Sequence, residues 1–139
     1  MKLTRVDFLK CCGSTKWADG MAAGGQADEV FRTLEASDWL EAFRAHPRIG
    51  ERKASGWAAQ EQSGASIATE DIFAELADWN QRYFEKFGYI FIVFATGKGA
   101  GEMLAILQSR MSNSPEDELH AAAREQTKIT RLRLERLLA

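Results

Sequence analysis

The sequence predicts an all-α protein, a compact single-domain bundle of about seven to eight helices with one short extended apolar segment near residues 90–95. Ala, Leu, Glu, Arg and Gln, which are good helix formers, are abundant in the chain. Only 2 prolines interrupt the 139 residues, and apolar residues recur mostly at the spacings of three and four that form one helix face. A chain of this length usually folds around one core, so residues 1–139 are predicted to form a single domain.

The first part of the chain is predicted to form short helices separated by glycines and capping residues. Gly13 ends the first helix, and Ser14 can cap the second. The pair Gly24-Gly25 then ends the second helix. The next two helices are predicted over 27–36 and 39–45, the latter capped by Ser37 or Asp38.

The second part of the chain carries the longer helices. A short helix near 57–62 comes first, and the longest helix is predicted to run from Thr69 to Phe87, with Gly88 ending it. The apolar run 90–95 is too short for a typical helix and favours a buried extended segment or a helical turn. After a loop over 97–101, the last two helices are predicted over 103–111 and from Ser114-Pro115 onwards.

Charge and hydropathy exclude several classes of function. The formal net charge is −2, from 18 basic and 20 acidic residues, so no positive field attracts nucleic acid or an anionic membrane. The longest apolar stretch, Tyr89 to Ala95, is far shorter than the roughly 20 residues that span a bilayer. No signal-peptide pattern opens the chain. We therefore expect a cytoplasmic protein with neither a nucleic-acid nor a membrane partner.

The cysteines do not indicate a metal or redox site. Cys11 and Cys12 are the only two, and neighbouring cysteines rarely form a structural disulfide because the ring that they close is strained. No cluster of Cys and His elsewhere could complete a zinc site. Two buried or half-buried thiols are the expected state.

His46 is the first candidate for chemistry. It precedes Pro47, whose ring disfavours the helical conformation of the residue before it, so His46 is predicted to lie at a helix-to-loop corner. Taken alone, such a corner is more often structural than catalytic. The other histidine, His120, lies in an acidic first helical turn, where a solvated or capping side chain is expected.

A second candidate cluster lies on the short helix near 57–62. Helical spacing places Ala58, Glu61 and Gln62 on the same side, so that a carboxylate and an amide point together. Glu61 could be a solvated helix glutamate, or it could orient an imidazole and set its protonation state.

The third candidate, Arg133, continues an apolar stripe of the last helix. Leu119, Ala122, Gln126 and Ile129 precede it at alternating spacings of three and four. An arginine on an inward-facing line needs an anionic partner, and its planar fork suits a carboxylate or a ureido-type oxygen. A buried Glu partner, or a side chain that reaches outward, would explain it equally well.

Together with these residues, several separated motifs resemble the 2-oxo-4-hydroxy-4-carboxy-5-ureidoimidazoline (OHCU) decarboxylase family over most of the chain. The motifs occur in one order, which makes their combination more specific than any one of them. They are His46-Pro47-Arg48-Ile49-Gly50, the stretch from Trp57 to Gly64 with Glu61-Gln62, Asn80 and Tyr83 before Phe87-Gly88, the run from Phe91 to Ala95, and Lys128-Ile129 with Leu132-Arg133-Leu134.

The resemblance implies a compact all-α fold, commonly a homodimer, and a decarboxylase of urate breakdown that needs neither a metal nor an organic cofactor. Its product would be (S)-allantoin. By motif, His46 would be the catalytic histidine, with Glu61, Gln62 and Arg133 in the substrate site. Pro47 would shape the pocket floor. The segment Phe91-Ile92-Val93-Phe94-Ala95 would line the pocket and offer backbone groups to the ureido and ring amides.

One departure from the family's pattern concerns the substrate. Relatives usually carry a serine where this chain has Ala58, so one substrate hydrogen bond would be lost. Such a loss costs about 0.5–1.5 kcal/mol, and we expect activity to survive it. Two alternatives remain open: a lyase acting on a related ureido or imidazoline acid, and a non-catalytic helical interaction module.

Overall fold

The computed structural model describes residues 2–49 and 70–139, and within these ranges α-helix is the regular secondary structure, without strands. The predicted fold class is thereby confirmed. The helix predicted near 57–62 lies outside the described residues. These two ranges contain seven helices: α1 (Arg5–Cys11), α2 (Thr15–Ala22), α3 (Ala27–Arg32), α4 (Ala36–Arg44), α5 (Glu70–Phe87), α6 (Ala100–Arg110) and α7 (Pro115–Leu138).

The predicted helix starts at Ser14 and Ser114 are confirmed. The Ser14 hydroxyl accepts a hydrogen bond from the Trp17 backbone N–H (3.2 Å) and so begins α2. The Ser114 hydroxyl accepts one from Asp117 N–H (3.2 Å), with Pro115 in the first turn of α7. Each serine satisfies a backbone donor that the helix itself leaves without a partner.

The two predicted helix boundaries on either side of Leu34 were wrong. The helix predicted over 27–36 ends at Arg32, and α4 begins at Ala36, with Glu35 rather than Ser37 or Asp38 as its N-cap. The Asp38 carboxylate accepts the Glu35 backbone N–H (2.9 Å), which starts a new helix there. Leu34 is buried between the two helices, so tertiary packing overrides the helix propensity of this stretch.

The loop predicted over 97–101 ends earlier than expected, because α6 already begins at Ala100 and includes Gly101. Gly97 has a φ of 80°, a conformation that favours glycine, and Gly99 is the N-cap of α6. The turn is therefore completed before residue 100.

The packing of α4 against α7 positions the candidate site. Helix α1 contacts α2 and α7, α4 contacts α2 and α7, and α5 contacts α6. The largest fully buried apolar side chains between them are Trp17, Phe43, Leu76, Tyr83, Phe91, Met103 and Leu107. The end of α4, where His46 follows, is thus held beside the long last helix.

The apolar segment 90–95 is neither helical nor part of a strand, which excludes the helical turn considered above. Gly88, with a φ of 85°, ends α5 as predicted and redirects the chain. Phe91, Ile92, Val93 and Ala95 are buried. A non-helical backbone in the interior needs hydrogen-bond partners for its polar groups.

Across the two described ranges, no helix combines the length and the apolar character that crossing a bilayer requires. Cys11 and Cys12 are both buried free thiols, as predicted.

Candidate functional site

His46 lies at the corner that its sequence position predicts. Helix α4 ends at Arg44, and the His46 backbone N–H still donates to the Phe43 carbonyl (3.1 Å) before Pro47 turns the chain away. The imidazole is half-buried, and its Nε2 atom lies 2.7 Å from Oε1 of Gln126 on α7. The ring is therefore tied to an element 80 residues away in sequence.

The Asn80 amide lies in the apolar stripe of α5 because it donates two hydrogen bonds there. Its Nδ2 atom donates to the carbonyl of Ile49 (3.2 Å) and to that of Leu76 (2.8 Å). The first of these bonds anchors the chain just after His46-Pro47-Arg48 to α5. Because Asn80 and Ile49 are both buried, this anchor is shielded from competing water.

A run of buried polar groups continues behind His46. Gln126 Nε2 donates to Thr130 Oγ1 (3.0 Å), and Thr130 in turn lowers the pKa of the Cys12 thiol. Burial raises the pKa of Cys12 to about 11, and the hydrogen bonds from the Ser14 backbone and from Thr130 only partly oppose this. Cys12 is therefore a neutral thiol near pH 7, which indicates a structural role.

A cavity of about 400 Å³ opens beside the imidazole. Its described lining residues are Leu40, Arg44, His46, Phe84, Gly88, Tyr89 and Ile90. The volume falls in the range of small-molecule sites, and the walls are mostly apolar with a few polar groups. With the Arg44 guanidinium at its wall, the cavity suits a small anionic molecule.

The segment Phe91 to Ala95 runs on from the wall of this cavity, and protein side chains hold its backbone. Arg110 NH1 donates to the Ile92 carbonyl (2.6 Å), and the Phe94 N–H donates to Glu125 Oε1 (3.0 Å). Lys98 Nζ donates to the Phe94 carbonyl (2.8 Å). These contacts fix the path of the segment. That it lines a substrate pocket and offers backbone groups there stays a prediction.

Arg133 lies on the predicted face of α7 and is half-buried. Its NH1 atom lies 3.5 Å from the Lys10 carbonyl at the end of α1, and its charge lowers the pKa of the neighbouring Cys11 against the larger effect of burial. Gln126 and Arg133 are seven residues apart, or about 10 Å along the helix. Arg133 and the His46 partner thus share one face of α7.

Several predicted site residues lie outside the described part of the chain, namely Ala58, Glu61 and Gln62. Their predicted roles stay predictions. Within the described ranges, no three metal-binding side chains of the His, Cys, Asp or Glu types come together.

Sequence reasoning missed Gln126 as the partner of His46. Gln126 was visible as an amide in an apolar stripe between Ala122 and Ile129, and a buried amide requires hydrogen-bond partners. That signal shows that a partner exists. It does not identify His46, because the two residues meet only through the packing of α4 on α7.

The Glu125 carboxylate makes the stability of the folded protein depend on pH. Burial raises the pKa of Glu125, but hydrogen bonds from Lys128 and from the Phe94 N–H outweigh it and leave the pKa below its ordinary value. A lowered folded-state pKa stabilises the protein above the unfolded value of about 4.3, and this stabilisation is lost as the pH falls through the folded value.

We therefore expect wild type and Glu125→Gln to differ in urea midpoint at about pH 6 and to converge towards about pH 3. Urea unfolding followed by circular dichroism across this range measures the difference. Glu135→Gln, at an exposed position of α7, is the matched control. A difference between wild type and Glu125→Gln that stays constant with pH would contradict the assignment.

Comparisons with known proteins agree in one family. The OHCU decarboxylase family matches residues 5–135. The chain is 39% identical, over its whole length, to the uric acid degradation bifunctional protein TTL of Arabidopsis thaliana, of which it spans 48%. It is 33% identical to a 2-oxo-4-hydroxy-4-carboxy-5-ureidoimidazoline decarboxylase of Halalkalicoccus jeotgali, over 70% of this chain and 57% of that protein. The chain thus spans about half the length of these two relatives.

A solved structure is similar over nearly the whole chain. It is described as the crystal structure of an OHCU decarboxylase in the presence of (S)-allantoin. The two chains share 40% sequence identity with a TM-score of 0.82, and the match covers 94% of this chain and 96% of the other.

Proposed function

Because the chain belongs to the OHCU decarboxylase family, we propose that it is a cofactor-independent carboxy-lyase that converts 2-oxo-4-hydroxy-4-carboxy-5-ureidoimidazoline to (S)-allantoin in urate breakdown. The observation that carries this proposal is the similarity of nearly the whole chain to an OHCU decarboxylase whose structure was obtained with (S)-allantoin. The cavity beside His46 supports the proposal, since its volume suits a small substrate.

The protein must perform two functions in this reaction. Breaking the bond to the carboxylate releases CO2, and the electron pair passes from the hydroxyl-bearing ring carbon into the adjacent C=N bond, which gives an enol-like system. The protein must stabilise this developing anion and deliver one proton to one face of the ureido-bearing carbon, while the hydroxyl loses its proton and becomes the carbonyl of allantoin. An apolar cavity desolvates the leaving carboxylate, and preorganised donors stabilise the anion.

In this proposal His46 handles the proton and so sets the stereochemistry of the product. The contact of its ring with Gln126 supports a fixed orientation. Arg133 and Gln62 would position the anionic substrate, and Glu61 would hold the imidazole. Arg44, which lines the cavity, adds a positive charge that sequence reasoning did not single out.

Two rivals make different predictions. A non-catalytic interaction module would fill the space around His46, whereas a cavity of about 400 Å³ lies there. A lyase for a related ureido or imidazoline acid would share the same cavity, and Ala58 in place of the family's usual serine keeps that substrate question open.

A coupled assay tests the proposed function. The unstable substrate is generated from urate in situ by the two upstream activities, and the appearance of (S)-allantoin is followed by circular dichroism with and without the protein. We expect a faster, stereospecific appearance of (S)-allantoin. A rate equal to that of the spontaneous reaction would refute the proposal, and acceleration only with a related acid would support the second rival.

Arg133→Ala is expected to weaken substrate binding more than turnover. Loss of a charge-assisted contact of about 1.5–3 kcal/mol corresponds to a rise in KM of about 10- to 100-fold. Arg131→Ala is the matched control, because Arg131 lies on the exposed side of α7 and pairs with Asp28 (3.0 Å). If Arg133→Ala lowers the melting temperature and leaves KM unchanged, Arg133 is structural.

We also propose that residues 1–139 act as one domain and that the protein is a cytoplasmic homodimer, as the resemblance implies. Light scattering on the purified protein measures its mass in solution, and a monomer at working concentration would refute the dimer. Cell fractionation tests the location.

A further inference from the structure

We infer that Gln126 is a positioning residue that holds the neutral His46 imidazole with its proton on Nε2, so that Nδ1 is the basic nitrogen of the ring. The consequence for catalysis rests on the proposed function of His46. The tautomer itself follows from the contact between Gln126 and His46.

The contact between the two side chains defines the donor. Gln126 Oε1 lies 2.7 Å from His46 Nε2, and an amide oxygen can only accept a hydrogen bond. The ring nitrogen that faces it must therefore carry the proton. Gln126 is fully buried, so water does not compete for this bond.

Thr130 explains why the amide oxygen, and not the amide nitrogen, faces the ring. Gln126 Nε2 donates to Thr130 Oγ1 (3.0 Å), one turn further along α7. The Thr130 hydroxyl also lowers the pKa of the Cys12 thiol, which is the effect of a hydroxyl that donates towards the sulfur. If the amide were reversed, Thr130 would have to donate to Gln126 and could not donate to Cys12.

The fixed tautomer decides which atom exchanges a proton during the reaction. The Nε2 proton is shared with Gln126 both when the ring is neutral and when it is cationic. The proton that His46 takes up or gives away is then the one on Nδ1.

Nitrogen-15 NMR on histidine-labelled protein measures the tautomer directly, without any assay of activity. The chain has only 2 histidines, so His120→Gln assigns the two sets of signals. We expect the neutral His46 ring of the wild type to show a protonated Nε2 and an unprotonated Nδ1. A wild-type ring protonated on Nδ1 would overturn the inference.

Substitutions of Gln126 test whether this side chain sets the tautomer of His46. Gln126→Met keeps the length of the side chain and removes the acceptor, so His46 should become a mixture of tautomers, with kcat lowered about 10- to 100-fold and KM changed less than about threefold. Gln126→Glu keeps an oxygen acceptor and should restore the Nε2-protonated ring and part of kcat. Unchanged tautomer populations and kcat in Gln126→Met would refute the positioning role.

A pair of threonine variants on the same helix tests the orientation of the amide. Thr130→Val removes the group that receives the Gln126 amide nitrogen and should also mix the tautomers. Thr127→Val is the matched control, since the Thr127 hydroxyl only donates to the Ala123 carbonyl (3.0 Å). If both variants keep the wild-type tautomer, the network does not set it. These spectra decide the inference even if Gln126→Met fails to fold, or if the wild type fails to accelerate allantoin formation.

Discussion

His46→Ala is expected to lower kcat by at least about 100-fold while the helical circular dichroism stays unchanged, because a positioned proton donor or acceptor contributes about 10²–10⁴ to a rate. His46 is half-buried at the end of α4, and removal of its ring leaves the backbone bond to Phe43 in place. The variant should therefore lose its chemistry and keep its fold.

The coupled allantoin assay and a thermal melt together measure this outcome. His120→Ala is the control, since His120 is exposed and its ring packs edge-on against Trp39, with ring centroids 5.6 Å apart. We expect His120→Ala to keep wild-type kcat. Full activity in His46→Ala would remove His46 from the mechanism, and equal losses in both variants would indicate a non-specific effect on the fold.

Local signals in the sequence predicted the placement of His46 because they depend on covalent geometry. Pro47 forces the helix to end before it, and Ser14 and Ser114 start helices by satisfying backbone donors within a few residues. The apolar spacing of α7 likewise predicted that Gln126 and Ile129 are buried, as they are. Each of these features is set by residues close together in the chain.

Local sequence signals did not predict the features that depend on packing between elements distant in the chain. The end of α3 at Arg32 follows from burial of Leu34, although the surrounding residues favour a helix. The partner of His46 is 80 residues away on α7. The local pattern shows that Gln126 needs a partner, and only the tertiary structure supplies its identity.

The buried pair Arg110 and Glu118 is a further example. The sequence places Glu118 in the acidic first turn of the last helix, where a solvated carboxylate near the positive end of the helix dipole is the ordinary expectation. In the structure Glu118 is fully buried and Arg110 is its cationic partner. The short turn between α6 and α7 brings the end of one helix onto the start of the next.

Arg110→Met is expected to destabilise the protein by about 3–5 kcal/mol, because it leaves the buried Glu118 carboxylate without its cation. Arg110 Nε lies 2.9 Å and 3.1 Å from the two Glu118 oxygens. Tyr83 and Asn113 also donate to this carboxylate. Burial, together with the hydrogen bond to Glu118, raises the pKa of the Tyr83 hydroxyl, so it stays a neutral donor.

Arg110→Met should also destabilise the apolar segment 90–95. Arg110 NH1 donates to the Ile92 carbonyl, and the guanidinium lies 4.6 Å from the centre of the Phe91 ring. Removal of the guanidinium leaves a buried backbone carbonyl without this donor, which adds to the cost. Amide hydrogen exchange over 89–95 should therefore be faster in Arg110→Met than in the wild type.

A double-mutant cycle separates the pair from its surroundings. Glu118→Gln removes the buried negative charge. The double variant, Arg110→Met with Glu118→Gln, should therefore lose less free energy of unfolding than the sum of the losses in the two single variants.

Arg110→Lys should restore little of the stability lost in Arg110→Met. A lysine ammonium lacks the planar fork with which Arg110 contacts both Glu118 and Ile92. Arg131→Met, which breaks the exposed pair with Asp28, is the control and should cost less than about 1 kcal/mol. Urea unfolding measures the stability of all six proteins, including the wild type. If Arg110→Met costs no more than Arg131→Met, the pair does not hold α6, α7 and the apolar segment together.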